Sequence, residues 1–218
     1  MISTSEVVQS IIQKSPLLED GLARGIINYS ALARDLRPQI EKKLMKSIKR
    51  GAIVMALKRV SKSLKYEKQK IRQTINLSGL TIRSNLVEFT YANSDTMTEK
   101  PKQVFTISEK RKGVFCNISQ GVRETMIVAA EEVEDEIKKI FKQERLIASI
   151  GDISAITILL NKESIITPGV YYSVLKLLAW NNINIIDVIS TYSELTVIFD
   201  NKDIDKAFTI LRNYNSNQ

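Results

Sequence analysis

The stretch from Thr167 to Asp200, TPGVYYSVLKLLAWNNINIIDVISTYSELTVIFD, contains the residue types best suited to holding a small charged molecule. A Pro-Gly pair precedes an apolar helical pattern, and the backbone N–H groups at the start of a helix suit a carboxylate. Gly169 permits close approach to the backbone. The carboxyl groups of Asp187 and Glu194 suit an ammonium group. This stretch therefore suggests either a pocket for a small molecule or half of a small α/β domain.

Each of these features is also typical of plain local structure. Thr167-Pro168-Gly169 is equally a loop followed by a helix cap. The asparagines near residues 181–184 are typical of a turn that stops a helix. Asp187 can be a solvated strand residue, and Ser193-Glu194 can be a hairpin turn. From the residues alone, ligand binding and local structure both stay open.

The sequence has no histidine and a single cysteine, Cys116. These two facts exclude a Ser-His triad, imidazole metal sites, thiolate zinc sites and an internal disulfide. A nucleotide-phosphate loop is also missing. Catalysis by Asp, Glu, Lys or Tyr remains open, but we expect a chain that is not an enzyme, with no cofactor and no metal. Cys116 is typical of a small buried residue.

The N-terminal residues lack the pattern of a signal peptide, and no uncharged apolar run approaches the roughly 20 residues that cross a bilayer. We therefore expect a cytoplasmic protein without a membrane partner. Positive charge is concentrated at one end. Residues 1–75 hold 16 Lys and Arg against 6 Asp and Glu, whereas the remaining residues hold 16 against 18. This asymmetry indicates two regions with different partners.

Residues 1–73 are predicted to form a helical module with a basic face. Ser3 and Glu6 have capping-box spacing before the first apolar run. NYSALARDL, residues 28–36, predicts a short helix, and Pro38 suits the first turn of another one. From Arg50 to about residue 71 the pattern is helical, with Ile53, Val54, Leu57, Val60 and Leu64 on one face. The opposite face carries Lys58, Arg59, Lys62 and Lys65.

Two functions are open for this helical module. NYSALARDL followed by GAIVMALKRVSKSL is similar to a helix-turn-helix, and the basic face supplies the attraction to phosphates that DNA or RNA binding needs. However, the gap between these segments exceeds the short turn of that motif. A module for helical dimerisation or protein docking is the alternative.

The chain from residue 74 onward alternates strands and helices. LTIRSNLVEFTYA predicts a strand, residues 94–112 show no sustained helical periodicity, and GVFCNIS and ETMIVAA predict paired strands before the helix EEVEDEIKKIF. The last third is clearer. ISAITILL, INIIDVIS and ELTVIFD predict strands, and Val170–Trp180 and IDKAFTILRNY predict helices. The fold class is therefore α+β, a helical module followed by tandem ferredoxin-like (βαββαβ) units at 74–149 and 150–218.

The order strand, TPGV, helix, NNINIIDVIS, SELTVIFD, helix resembles the ACT domain, a regulatory module that binds small molecules in amino-acid metabolism. It is most similar to the paired ACT domains of aspartate kinases. The resemblance covers residues 150–213. It is weaker over 76–149, where residues 94–112 replace the first helix and indicate a degenerate unit. Nothing before residue 75 resembles an amino-acid kinase.

The resemblance implies a ligand site between the first strand-to-helix loop of one unit and the second strand of its partner. The loop residues are Ile166, Thr167, Pro168, Gly169 and Val170. The strand residues are Asn184, Ile185, Ile186 and Asp187, and Ser193 and Glu194 match the Ser-Glu of the family. One departure is an additional residue between Asp187 and Ser193.

These observations predict a non-catalytic regulatory protein that senses an amino acid and has a helical output module. We expect a homodimer or a larger oligomer that is formed through the ACT units. The alternative is an oligomerising scaffold, or a regulatory subunit of an amino-acid biosynthetic enzyme, that binds no ligand of its own. Tyr171, Tyr172 and Trp180 are typical of packing or dimer contacts in either case.

Overall fold

The computed structural model describes residues 3–74, 79–111 and 113–214, except for the side chains of residues 67–74 and 108. The chain divides into two compact units, Met1–Thr74 and Ile75–Gln218. Within the described ranges, no helix has both the length and the apolar character needed to cross a membrane.

The described residues of the first unit form four helices. They are α1 (Thr4–Ile12), α2 (Pro16–Arg24), α3 (Tyr29–Leu44) and α4 (Arg50–Thr74). The predicted capping box is confirmed, because the Glu6 amide donates to the Ser3 hydroxyl and the Ser3 amide donates to the Glu6 carboxylate. Asn28 caps α3 by accepting hydrogen bonds from two backbone amides of the first turn.

The prediction of two helices around Pro38 is wrong, because α3 is continuous and contains Pro38 in its interior. A proline there removes one backbone hydrogen bond. On the same helix Leu32, Leu36 and Ile40 are buried. Packing of an apolar face supplies most of the stability of a helix in a protein, so burial of this face outweighs the missing bond.

Helix α4 packs against the other three helices. Its inward residues Ile53, Leu57, Val60 and Leu64 are buried as predicted, together with Ala56, and Val54 is partly buried. A polar chain reinforces this packing. The Tyr29 hydroxyl donates to Ser61 at 2.9 Å, and the Ser61 hydroxyl donates to the carbonyl of Leu22 at 2.7 Å. Helices α2, α3 and α4 are thereby connected.

The second unit contains six strands and five α-helices within the described ranges. The strands are β1 (Leu80–Ala92), β2 (Cys116–Gln120), β3 (Glu124–Ala130), β4 (Leu146–Leu159), β5 (Asp187–Ser190) and β6 (Glu194–Asp200). The helices are α5 (Lys100–Lys110), α6 (Glu134–Ile140), α7 (Lys162–Ile166), α8 (Val170–Trp180) and α9 (Ile204–Asn213).

Two sequence-based expectations for this unit are wrong. Residues 94–112 include the helix α5, which was not expected because only a few of its residues, such as Val104, are buried. The strand predicted at INIIDVIS is shorter and begins only at Asp187, since residues 183–186 form an irregular segment after α8.

The strands form one antiparallel sheet in the order β2-β3-β1-β4-β6-β5. The order β2-β3-β1-β4 is that of one ferredoxin-like unit, and β5-β6-β4-β1 is that of a second. We call these the first repeat (residues 86–151) and the second repeat (residues 153–213). The long strands β1 and β4 serve both repeats, so that six strands complete two βαββαβ units. The predicted fold class is confirmed.

Residues alternate between the two faces of this sheet. Val87, Phe89 and Tyr91 of β1 pack against α5 and α6 in the core of the first repeat. Their alternating neighbours belong to another cluster, on the face without helices. Leu86 and Val128 of the first repeat lie there together with Ile189 and Ile198 of the second. This helix-free face therefore holds apolar residues of both repeats.

Candidate ligand-binding site

The N-terminus of α8 presents backbone amides that no side chain among the described residues caps. Gly169 precedes the helix with a φ of 90°, a left-handed conformation that favours glycine. The Thr167 hydroxyl donates to the carbonyl of Glu163 at 2.6 Å, and the Ser173 hydroxyl donates to the carbonyl of Gly169 at 2.8 Å. Both hydroxyl groups thus bond to carbonyls rather than to amides of the first turn.

The hairpin between β5 and β6 lies beside this helix start. The Tyr171 hydroxyl is 3.0 Å from the hydroxyl of Ser190, and the Leu160 amide donates to the carbonyl of Ser193 at 2.7 Å. The amide of Thr191 donates to the carbonyl of Glu194. The structure therefore places the predicted residues 166–170 at the same end of the second repeat as Ser193 and Glu194.

The other predicted segment, Asn184–Asp187, lies at the opposite end of β5. Four strand residues span about 10 Å between Asp187 and Ser190. Asp187 pairs with Ile198, which lies on the helix-free face, and residues that pair directly have their side chains on the same face. Within one chain, Asp187 is therefore on the other side of the sheet from α8. Asn184 is exposed, and Ile185 and Ile186 are partly buried.

In the first repeat, the loop that follows its first strand is held by side chains of the chain itself. Glu144 accepts hydrogen bonds from Ser94 at 2.6 Å and Thr96 at 2.7 Å, and it forms an ion pair with Lys100 at 2.8 Å. The Glu144 side chain is only 3% exposed. The bond from Lys100 and those from the two hydroxyl groups lower the pKa of Glu144 to about 2. In the first repeat, side chains of the chain itself thus fill the position that is equivalent to the loop at residues 160–170.

Sequence reasoning missed one residue near the predicted site, Glu88 of β1. Its carboxyl group is buried, and its Oε2 accepts no hydrogen bond from any described residue. Burial, and secondly the charge of Asp187, raises the pKa of Glu88. No local motif in the sequence signals the burial of Glu88, because it depends on the fold of the whole sheet.

The helical unit carries a second candidate site, a basic surface. The predicted residues Lys58, Arg59, Lys62 and Lys65 are all exposed. The same segment holds further exposed cations at Lys42, Lys43, Lys46, Lys49 and Arg50. Residues 42–66 thus contain nine Lys and Arg and no Asp or Glu. We call these nine residues the basic surface.

A short connection joins α3 and α4, the two helices that carry the basic surface. Helix α3 ends at Leu44, so that only residues 45–49 separate it from α4, a shorter gap than the sequence indicates. The Glu41 carboxylate accepts a bond from the Ile48 amide at 2.8 Å and from Arg37 at 2.8 Å. These bonds lower the pKa of Glu41. One acidic side chain thus fixes the connection, which is otherwise basic.

The order of strands and helices in the second unit defines a tandem ACT-type fold. Solved structures with this fold include the aspartate kinase of Clostridium acetobutylicum, with a TM-score of 0.52, 17% identity, and coverage of 64% of this chain and 36% of that one. The regulatory subunit of aspartate kinase from Thermus thermophilus, in a ligand-free form, has a TM-score of 0.51, 15% identity, and coverage of 63% and 97%. Aspartate kinase from Synechocystis has a TM-score of 0.52 and 14% identity, and the match covers 64% of this chain and 27% of that one.

These similarities show that the chain has the fold of the aspartate kinase regulatory region. The chain spans about a third of the Clostridium enzyme and nearly all of the Thermus subunit. No family model and no curated protein sequence matches it. At these identities the likeness is one of fold alone.

Proposed function

We propose that this chain is a non-catalytic regulatory protein that binds an amino acid through its second repeat. The observation that carries the proposal is the uncapped start of α8, with Gly169 at positive φ, beside the Ser193-Glu194 hairpin. The N–H groups of this turn suit the ligand carboxylate. The exposed Glu194 carboxylate suits the α-ammonium group. The similarity to the regulatory subunit of aspartate kinase from Thermus thermophilus supports a role in regulation.

The proposed site includes a second copy of the chain. Strand β5 ends the sheet order, so its outer edge faces no other strand of the described residues and is a position where another strand can pair. If two copies pair antiparallel through β5, the Ser190 end of one copy lies beside the Asp187 end of the other. Residues Asn184–Ile186 of the second copy then border the α8 start of the first. This arrangement brings together the segments that one chain keeps apart.

Exposed aromatic residues support this association. Tyr171, Tyr172 and Trp180 lie on α8 with large exposed areas, and Val188 of β5 is 38% exposed. Aromatic side chains are enriched in protein interfaces. We therefore propose a homodimer with two ligand sites, each formed by the α8 start of one chain and the β5 start of the other.

The helical unit is proposed to be the output module, which binds nucleic acid through the basic surface. Nine exposed cations without an intervening carboxylate supply the electrostatic attraction that dominates non-specific nucleic-acid affinity. Lys49 and Arg50 also flank the start of α4, where the helix dipole disfavours cations. An anionic partner bound at this position would offset that unfavourable placement.

A thermal unfolding screen tests ligand binding. The protein is heated with each of the twenty amino acids, purines and pyrimidines at millimolar concentration. A ligand at about 100 times its dissociation constant stabilises the folded state by about 2.7 kcal/mol, a rise of several degrees in Tm. We expect a selective rise with one or a few amino acids.

A matched pair of variants locates the site. Ile166 is 82% exposed, so Ile166→Asp adds a carboxylate beside the α8 amides without disturbing the core. Leu17→Asp makes the same change at an exposed position of the helical unit. The rise in Tm should be lost in the first variant and kept in the second. No rise with any compound would favour the oligomerising scaffold instead.

A further inference from the structure

Met45, directly after helix α3, has an unusual backbone conformation that the proposed function does not use. It is left-handed, with a φ of 50° and a ψ of 35°. Helices often end in this conformation, but the residue there is usually glycine and sometimes asparagine. Of the four described non-glycine residues with positive φ, the other three are Asn or Asp, which adopt it more readily. A methionine at this position is therefore strained.

The residues around Met45 anchor the connection and leave its side chain in solvent. Leu44 packs against the core of the helical unit and Ile48 is 8% exposed, whereas Met45 is 94% exposed. The Glu41 carboxylate accepts hydrogen bonds from the Ile48 amide at 2.8 Å and from the Ser47 hydroxyl at 3.3 Å. An apolar side chain thus projects from a short connection that is fixed on both sides.

Positive charge surrounds this apolar side chain. The five residues of the basic surface that are nearest to Met45 in the sequence are all exposed, namely Lys42, Lys43, Lys46, Lys49 and Arg50. A polyanion that binds these cations meets Met45 at the same contact. Duplex DNA is a polyanion with apolar surface between its stacked base pairs, and proteins that bend DNA insert Met, Leu, Ile or Phe between base steps as wedges.

A single exposed apolar residue needs no explanation by itself, but a strained one does. Glycine would relieve the strain at this position, and the methionine side chain contributes nothing to the core. We propose that Met45 is an apolar wedge that enters between base pairs of duplex DNA and kinks it, while the basic surface binds the phosphates. This inference rests on the proposed nucleic-acid binding and adds the way in which the DNA is held.

Substitution of Met45 in the full chain tests the wedge, with end-labelled duplex DNA as the probe. Met45→Gln replaces the thioether with an amide of similar length and keeps every cation. Its affinity in fluorescence anisotropy should fall about tenfold at each salt concentration, since burial of an apolar side chain is lost. The salt slope should equal that of the wild type, because the same phosphates are neutralised. Energy transfer between the two ends should report bent DNA with the wild type and straighter DNA with Met45→Gln.

Further variants separate a wedge from a structural role. Met45→Leu should keep both the affinity and the bend, because leucine also serves as a wedge. Met45→Gly should raise Tm by removing the strain and yet lose affinity for DNA, whereas the loss of a residue needed for folding would lower both. The control is Val122→Gln, at an apolar residue of the sheet unit that is 97% exposed, and it should change neither.

The outcomes distinguish this inference from the proposed function. DNA that stays straight with the wild type, or a Met45→Gln variant with unchanged affinity and bend, would overturn the wedge and leave phosphate binding by the basic surface intact. A wild type that shows no salt-sensitive binding of DNA would contradict both. Binding to vesicles of phosphatidylcholine and phosphatidylserine that is lost in Met45→Gln would then assign Met45 to a membrane surface instead.

Discussion

Asn85 of β1 and Asp152 of β4 both adopt a left-handed backbone conformation, with φ of 57° and 53°. The register between the two strands shifts at both residues. On β1, Asn85 comes directly before Leu86, which pairs with Ile153. On β4, Asp152 lies between Ile150 and Ile153. These irregularities are β-bulges, which bend and twist a strand. They fall where each long strand passes from one repeat to the other, so the two residues mark the junction of the repeats.

The Asn85 conformation predicts a specific effect of substitution. A β-branched residue with positive φ is strained by roughly 1–2 kcal/mol, whereas glycine adopts this conformation freely. Asn85→Val should therefore lower the free energy of unfolding by about that amount, and Asn85→Gly should change it much less. Urea unfolding of the two variants measures the difference. Equal stabilities would show that the bulge is not required.

The hydrogen bonds and the ion pair of Glu144 should contribute substantially to the stability of the first repeat. Glu144→Gln removes the charge that pairs with the nearly buried Lys100, and breaking such a pair costs about 3 kcal/mol. The control is Lys102→Ala on the same helix. Lys102 pairs with Glu99 at the surface, where an ion pair contributes about 1 kcal/mol or less. Similar losses in both variants would contradict a special role for Glu144.

The stability from Glu144 should depend on pH in a defined direction. Its pKa in the folded protein is about 2, below the ordinary value of 4.5 for a glutamate side chain. A lowered pKa stabilises the folded state above pH 4.5, and this contribution is lost as the pH falls toward 2. The difference between wild type and Glu144→Gln in unfolding free energy should thus narrow over this range. A difference that stays constant from about pH 7 to pH 2 would exclude ionised Glu144 as its source.

The proposed pairing through β5 predicts the effect of a charge on that edge. Val188→Lys places like charges near each other in an antiparallel pair, and lysine is common on strands that avoid pairing. We expect the dissociation constant of the dimer to rise at least tenfold, about 1.4 kcal/mol. Val122→Lys adds the same charge in the exposed hairpin between β2 and β3 and should leave the dimer intact. Light scattering over a dilution series distinguishes the two results.

Nucleic-acid binding should depend on the basic surface and on salt. Changing Lys58, Arg59, Lys62 and Lys65 to Gln should reduce affinity for duplex DNA and lower the salt slope by roughly one for each phosphate that is no longer neutralised. The matched control changes four exposed lysines of the sheet unit to Gln, namely Lys102, Lys139, Lys142 and Lys162. Equal retention of DNA by both variants, in fluorescence anisotropy at several salt concentrations, would assign the helical unit to protein docking.

Much of the fold could be predicted because periodicity reports which residues face a core. The apolar face of α4 and the strands LTIRSNLVEFTYA and ELTVIFD correspond closely to helix α4 and to β1 and β6. Helix α5 was missed because few of its residues are buried, which leaves a weak pattern. Continuity of α3 through Pro38 was missed since a local rule for proline cannot weigh the burial of the surrounding face.

For the candidate site, too, some features could be predicted from the sequence and others could not. Gly169 before α8 and the Ser193-Glu194 hairpin follow from local signals, and the structure puts them at one end of the second repeat. The face on which Asp187 lies depends on its pairing with Ile198 of β6. Pairing between strands leaves no short motif in the sequence, so only the folded chain reveals that face.

The central claim is that the ligand site joins the α8 start of one chain to the β5 start of another. Mixing two variants tests it directly, using isothermal titration with the amino acid that raises Tm most. Ile166→Asp alters the α8 side and Asn184→Glu alters the β5 side, so neither homodimer should bind. After exchange of subunits at equal concentrations, each mixed dimer has one intact site, and about a quarter of the wild-type binding capacity should return. No recovery in a mixture that contains mixed dimers would contradict the claim.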